Sequence, residues 1–212
     1  MSKINNEDKY LLVVSKTSPL TKEREEELKK QFEFVPYVDE DGDSCMEAET
    51  FNAYTSLVQF MKRKYHISIE SHSAWRSVET QQKLYDEFLA QKGEEWTKSH
   101  VALPGTSEHH TGLAFDLKIN YDFLPVSLRS KANTLAKKLK IRNKIFKTIE
   151  KEAVQFGLIK RYSAEKKDIT GYNEEDWHFR YVGVENAKKI YKSGMCLEEY
   201  VHSLEQKISR VK

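Results

Sequence analysis

With 212 residues, 39% of them hydrophobic, the chain can bury one sizeable core and suits a single domain spanning residues 1–212. Thirty-five basic against thirty-three acidic side chains leave a formal net charge of +2, so no overall field draws in nucleic acid and the charged residues read as a solvated surface. The two cysteines, Cys45 and Cys196, lie far apart and outside any C-x-x-C spacing, which excludes a disulfide framework and a thiolate metal centre.

The N-terminus, Met1 to Tyr10, is polar, and the apolar run Leu11 to Val14 is too short for a signal-peptide core or a membrane span. A cytoplasmic location is expected, the alternative being an excised exported domain. Tyr10 to Val14 reads as a short strand, closed off before Ser18-Pro19. Thr21 to Phe32 reads as a charged surface helix anchored by Leu28 and Phe32. Asp39 to Asp43 is acidic but lacks the spacing and terminal glutamate of a calcium-binding loop, so a plain loop is expected. From Met46 to Tyr65, Phe51, Tyr54, Leu57, Val58, Met61 and Tyr65 recur at the spacing of a core-facing helix.

Ile67 to Glu70 is a strand candidate, after which Ser77 caps a helix running through Leu84, Tyr85, Phe88 and Leu89 to Gly93. Arg76 falls at this strand-to-helix junction. It is either a surface charge or a planar fork that binds a carboxylate bidentately, which lysine cannot copy. Gln81, in the first turns of the helix, points the same way. Val101 to Thr106 is a turn into Ser107-Glu108-His109-His110-Thr111-Gly112-Leu113-Ala114-Phe115-Asp116. Imidazole nitrogen and carboxylate oxygen are the donors that hold a borderline-soft divalent metal such as zinc without thiolates. Leu113 to Ile119 alternates as a strand does, with Asp116 on the polar side, and the glycine-containing turn can carry His109 back to it. His110 is the rival ligand, because adjacent residues diverge and both cannot easily reach one metal.

Asn120 to Lys140 reads as loop with a candidate helix and no chemistry to name. Ile145, Phe146, Ile149, Ala153 and Phe156 then mark one face of a helix stopped by Gly157. A strand over Leu158 to Tyr162 and helices over Glu185 to Lys192 and Leu197 to Ile208 complete the pattern. The third ligand is His178, which opens a strand-like run. Glu175, three residues earlier, reaches a metal at His178 only if Asn173 to Asp176 turns, since odd spacing along a strand places side chains on opposite faces. Three protein ligands with an unligated carboxylate nearby is the arrangement of a catalytic zinc site, in which Glu175 takes the proton of an activated water. His66, His72, His100 and His202 show no partners in the sequence.

Ser-x-His-x-x-Gly-x-Ala-x-Asp at Ser107 to Asp116, followed by Glu-x-x-His at Glu175 to His178, resembles the zinc D,D-carboxypeptidases and dipeptidases of the VanY, VanX and VanXY type. These share a fold with the D-Ala-D-Ala metallopeptidases and the zinc domain of hedgehog proteins. The likeness runs from Leu11-Leu12-Val13, through Ala74-Trp75-Arg76-Ser77 and Gln81, to Leu197-Glu198-Glu199-Tyr200. It implies zinc held by His109, Asp116 and His178, with Glu175 as general base and proton donor. Arg76 would polarise or anchor the substrate, while Ser107 and Gln81 would contact its backbone or terminal carboxylate. The implied fold is α+β, helices on one side of a small, mostly antiparallel sheet and the metal cleft on the other. The implied reaction removes the C-terminal D-Ala from peptidoglycan precursor or stem peptides, or cleaves the D-Ala-D-Ala dipeptide, in a monomer or weak dimer. The alternatives are an L,D-carboxypeptidase, a peptidoglycan endopeptidase, or a non-catalytic zinc-stabilised binding module, the last disfavoured by the retained Glu175. Trp75, His110 and Asp176 depart from the usual Tyr, Gln and Pro of the family, and Asp176 adds charge beside the base while losing a proline's rigidity.

Overall fold

A computed structural model describes residues 8–39, 42–120 and 135–211. Helix α1 (Lys22–Gln31) is capped by the Thr21 hydroxyl, which accepts from the Arg24 N–H. Leu28 and Phe32 anchor it, both buried as their spacing required. Strands β1 (Phe34–Asp39) and β2 (Gly42–Glu47) form an antiparallel hairpin leading into α2 (Ala48–Tyr65). The expected acidic loop is therefore the tip of a hairpin, with residues 40–41 outside the described set. Leu57 and Met61 lie at the centre of the α2 core face, fully buried, while Phe51, Tyr54, Val58 and Tyr65 pack at its margins.

The central sheet has the order β3-β4-β6-β5 and every pairing is antiparallel: β3 (Ser68–Ser73), β4 (Ala114–Asn120), β6 (His178–Tyr181) and β5 (Leu158–Lys160). Leu113, Phe115, Leu117 and Ile119 are buried in one core with Leu57 and Met61 of α2. Ile145, Phe146 and Ile149 of α5 (Leu135–Ala153) complete that core. Removing such side chains from water stabilises by roughly 1.5–3 kcal/mol each. It is this burial that fixes which way the alternate residues of β4 point. Helices α3 (Val78–Lys92) and α4 (Glu94–His100) flank the cleft. The short α6 (Lys167–Thr170) precedes the turn into β6, and α7 (Val184–Ser193) and α8 (Leu197–Val211) form a second apolar cluster with Ile159 and Val182.

This is the α+β arrangement expected from the sequence. Tyr10 to Val14 is a correction. Residues Asp8–Leu11 form a short 3-10 helix rather than a strand, and the carbonyls of Tyr10 and Leu12 accept from the Arg180 guanidinium instead of from a neighbouring strand. Asn120 to Lys140 falls largely on residues outside the described set. Cys45 and Cys196 are both free thiols, and among the described residues no helix is long and apolar enough to cross a membrane.

Candidate metal centre and cleft

Ser107 begins the local fold of the site, its hydroxyl accepting from the His109 N–H at the start of a 3-10 helix, Glu108–Thr111. Gly112 ends that helix with a left-handed φ of 71°. A Cβ on Gly112 would lie 2.4 Å from the Phe34 ring, so the position combines a conformation and a space that only glycine fits. The chain then enters β4, whose buried alternate residues turn Asp116 toward the cleft. In the ladder Asp116 stands opposite His178, and directly opposed residues share a face.

The two histidines are oriented by their outer nitrogens. His109 Nδ1 is 2.6 Å from the Ala74 carbonyl, leaving Nε2 at 3.4 Å from Asp116 Oδ2. His178 Nε2 is 3.3 Å from Glu108 Oε2, leaving Nδ1 at 2.9 Å from Asp116 Oδ1. One donor atom from each of His109, Asp116 and His178 thus lies within 4.8 Å of the other two. Two imidazole nitrogens and a carboxylate, each ring locked by a partner behind it, form a donor set that fits a divalent metal such as zinc. Burial and the nearby Arg76 charge lower His109 to about 4, outweighing Asp116, so it is neutral as a ligand must be. Burial alone would lower His178, but hydrogen bonds to Asp116 and Glu108 raise it to about 9. The pocket favours positive charge on that imidazole.

Asn173 to Asp176 makes the turn that the spacing demanded, bringing Glu175 Oε2 to 3.9 Å from His178 Nδ1. Burial pushes the Glu175 carboxyl up to about 7, against the opposing pull of His178. Arg76 lines the same cleft, of about 230 Å³, with Ser107, Gln81 and Glu175. Its backbone N–H donates to the His109 carbonyl at 3.3 Å. Gln81 is almost fully buried and spends its amide N–H on the Ala102 carbonyl. His110 is neither solvent-facing nor aimed at the donor set. Its Nδ1 meets the Arg76 carbonyl at 2.7 Å and its Nε2 accepts from the Gly105 N–H at 3.1 Å. His100, without a visible partner in the sequence, lines the cleft and stacks on Trp96 at 4.3 Å.

Glu108, Arg161 and Arg180 belong to the site without any motif in the sequence that gives them a role. Glu108 is fully buried, with Oε1 at 2.7 Å from Arg180 Nη1 and Oε2 at 3.3 Å from both His178 Nε2 and Arg161 Nε. The Arg161 Nε approach lies outside hydrogen-bond geometry and is ionic. Burial would raise the Glu108 carboxyl, but Arg161 and Arg180 together hold it well below the usual carboxylate range. Arg161 also makes a bidentate pair with Glu198, at 2.7 and 3.1 Å. Tyr162 stacks between His178 and Tyr172, at 5.4 and 4.6 Å. The available signal was Arg180 itself, a cation inside the buried run His178 to Val182, which demands a buried carboxylate.

A family model described as VanY, D-alanyl-D-alanine carboxypeptidase, matches residues 43–184. A D-alanyl-D-alanine carboxypeptidase of Enterococcus faecalis is 39% identical over 140 residues, covering 62% of this chain and 46% of that protein. The chain therefore spans about half the length of that relative. The bifunctional D-Ala-D-Ala dipeptidase and carboxypeptidase VanXYC of Enterococcus gallinarum is 29% identical, covering 93% of this chain and 96% of its own. Among solved structures, a vancomycin resistance D,D-pentapeptidase VanY in complex with Zn(II) superposes with a TM-score of 0.69 at 28% identity, over 91% of this chain and 98% of that one.

Proposed function

The chain belongs to the VanY D-alanyl-D-alanine carboxypeptidase family, and from that premise we propose that it is a zinc peptidase removing the terminal D-Ala from D-Ala-D-Ala-ending peptides. The observation that carries the reading is the convergence of His109 Nε2, Asp116 and His178 Nδ1 with the Glu175 carboxylate 3.9 Å from His178 Nδ1. A purely structural zinc site closes all four positions with protein ligands. Here three donors converge beside a cleft that also holds a carboxylate and an arginine.

His109, Asp116 and His178 would hold the ion. When bound, zinc supplies Lewis acidity that polarises a carbonyl and brings the pKa of a coordinated water to roughly 7. Glu175 accepts one proton from the attacking water and passes it to the nitrogen of the leaving D-Ala as the C–N bond breaks and the new C–O bond remains on the shortened peptide. A carboxyl lifted toward neutrality by burial suits both halves of that transfer. Arg76 offers its guanidinium to the terminal carboxylate or to the charge developing on the scissile carbonyl. Ser107 and Gln81 form the cleft wall against which the peptide backbone lies. The D-Ala-D-Ala substrate class rests on the family and on the relatives named for it.

The test is release of free D-Ala by zinc-loaded protein from a muramyl pentapeptide, with D-Ala-D-Ala dipeptide and a muramyl tetrapeptide alongside. Release from the pentapeptide supports the reading, with or without dipeptide cleavage. Release from the tetrapeptide alone would replace it with an L,D-carboxypeptidase.

A further inference from the structure

The turn that carries Glu175 has no regular secondary structure between Gly171 and Glu175, yet it is fastened from outside the cleft. Arg142 of α5 lies between two rings, its guanidinium carbon 4.7 Å from the Phe146 centroid and 5.3 Å from that of Trp177. From there Nη1 reaches Asp176 Oδ2 at 3.2 Å. The other Asp176 oxygen is 3.6 Å from the Lys160 ammonium of β5, which is also 3.8 Å from Glu174 and 3.5 Å from Glu150. The Lys160 side chain is only 10% exposed, so it sits among carboxylates rather than in solvent. Glu175 itself donates its backbone N–H to the Tyr162 carbonyl at 2.9 Å.

Asp176 is thus tied to cations on two different elements, Glu174 to the lysine alone, and the tryptophan that follows Asp176 is stacked on the arginine. Arg142, Lys160 and Asp176 do not line the cleft, so a peptide bound there is not what they serve. An isolated exposed ion pair holds little, but a stacked arginine sharing an aspartate with a mostly buried lysine is a network. Reacting groups must be held to within about 0.5 Å, and a misplacement of about 1 Å can cost on the order of a hundredfold in rate.

We infer that Arg142 and Lys160 are positioning residues that clamp the turn through Asp176 and so aim the Glu175 carboxylate at the His109, Asp116 and His178 cluster. The functional part of this inference rests on the reading of Glu175 as the proton carrier. The clamp itself does not. The test uses the full, zinc-loaded chain with Arg142→Met, Asp176→Asn, the double variant and Arg142→Lys. Hydrogen exchange of the segment 173–177 is read beside kcat and KM for D-Ala release from muramyl pentapeptide. The clamp predicts faster exchange of the Glu175 amide in Arg142→Met and Asp176→Asn. It also predicts a kcat about 10- to 100-fold lower with KM within about twofold, a double variant no worse than the poorer single, and partial recovery in Arg142→Lys. In the unmodified protein, added potassium chloride should speed the same amide by screening the partly exposed pairs.

Unchanged exchange in both single variants would overturn the clamp, as would a fall in kcat without faster exchange, because the turn would then not be the cause. If the unmodified protein released no D-Ala, exchange would still decide the clamp while the proposed reaction failed on its own.

Discussion

Glu108 is the most informative residue to perturb, because one carboxylate answers two hydrogen-bond donors, Arg180 Nη1 and His178 Nε2, and the nearby Arg161 charge. Glu108→Gln keeps the shape but offers one acceptor oxygen and an NH₂ group, so either orientation of the amide faces a donor with a donor. Removing one partner of a buried ion pair costs about 3–5 kcal/mol. Arg161 retains its bidentate pair with Glu198, and Arg180 retains its bonds to the Tyr10, Leu12 and Tyr181 carbonyls. The low end, about 3 kcal/mol, is therefore expected. Urea unfolding of the metal-free protein, followed by far-UV circular dichroism, should show this as a midpoint lowered by about 1.5 M with an unchanged slope of about 2 kcal/mol/M. Because the same carboxylate fixes the outer nitrogen of His178, zinc affinity should fall about 10- to 100-fold. The double variant Glu108→Gln/Arg180→Met removes the uncompensated charge but also the donors to the Tyr10, Leu12 and Tyr181 carbonyls, so its loss should differ from the sum of the two single variants. A loss below about 1 kcal/mol in Glu108→Gln, with zinc affinity intact, would refute the assignment of Glu108 as a buried counter-charge.

His109→Ala should abolish stoichiometric zinc binding. His110→Ala should leave it intact and lose about 1–3 kcal/mol of stability, because the Gly105 N–H is left buried without its acceptor; loss of zinc in His110→Ala measured by metal analysis would reverse the two roles. Gly112→Ala places a Cβ 2.4 Å from the Phe34 ring in a left-handed conformation, for which about 2–4 kcal/mol is expected in urea unfolding; a neutral result would mean the turn is not built as described. Burial raises the Glu47 carboxyl above its ordinary range, so the unfolded chain ionises there first and the fold loses stability as pH rises through the folded-state value. Glu47→Gln lacks that penalty and should gain in urea midpoint relative to the unmodified protein as pH rises above the ordinary glutamate range of about 4; parallel profiles would show that burial does not raise the Glu47 carboxyl.

The site was legible where it is local. Ser107, His109, Gly112 and Asp116 lie in one stretch whose alternation after Leu113 places Asp116 on the cleft side, and the Glu175 to His178 spacing required the turn that the fold makes. Helices α1, α2, α3, α5, α7 and α8 were legible for a similar reason, since their apolar stripes, the Ser77 cap and the Gly157 stop act within a few turns of chain. What could not be read depends on partners distant in sequence. Glu108 meets Arg180 and Arg161 across the fold, and neither a histidine nor a glycine marks such a pairing. Tyr10 to Val14 has the composition of a strand, but the Arg180 guanidinium takes two of the carbonyls a strand would offer to a neighbour. The β1–β2 hairpin was hidden because its acidic tip reads as a loop and β2, Gly42–Glu47, lacks clean alternation. Asp176 looked like an added charge beside the base; only the positions of Arg142 and Lys160 show what it meets.

The most direct test couples metal content to turnover in one pair of samples: the unmodified chain and Glu175→Ala, each loaded with zinc and dialysed, then assayed for D-Ala release from muramyl pentapeptide. The account predicts about one zinc per chain in both, held by His109, Asp116 and His178, with release reduced by several orders of magnitude only in the variant. Equal release from both samples, or loss of zinc together with Glu175, would contradict the separation of ligands from proton carrier on which the mechanism stands.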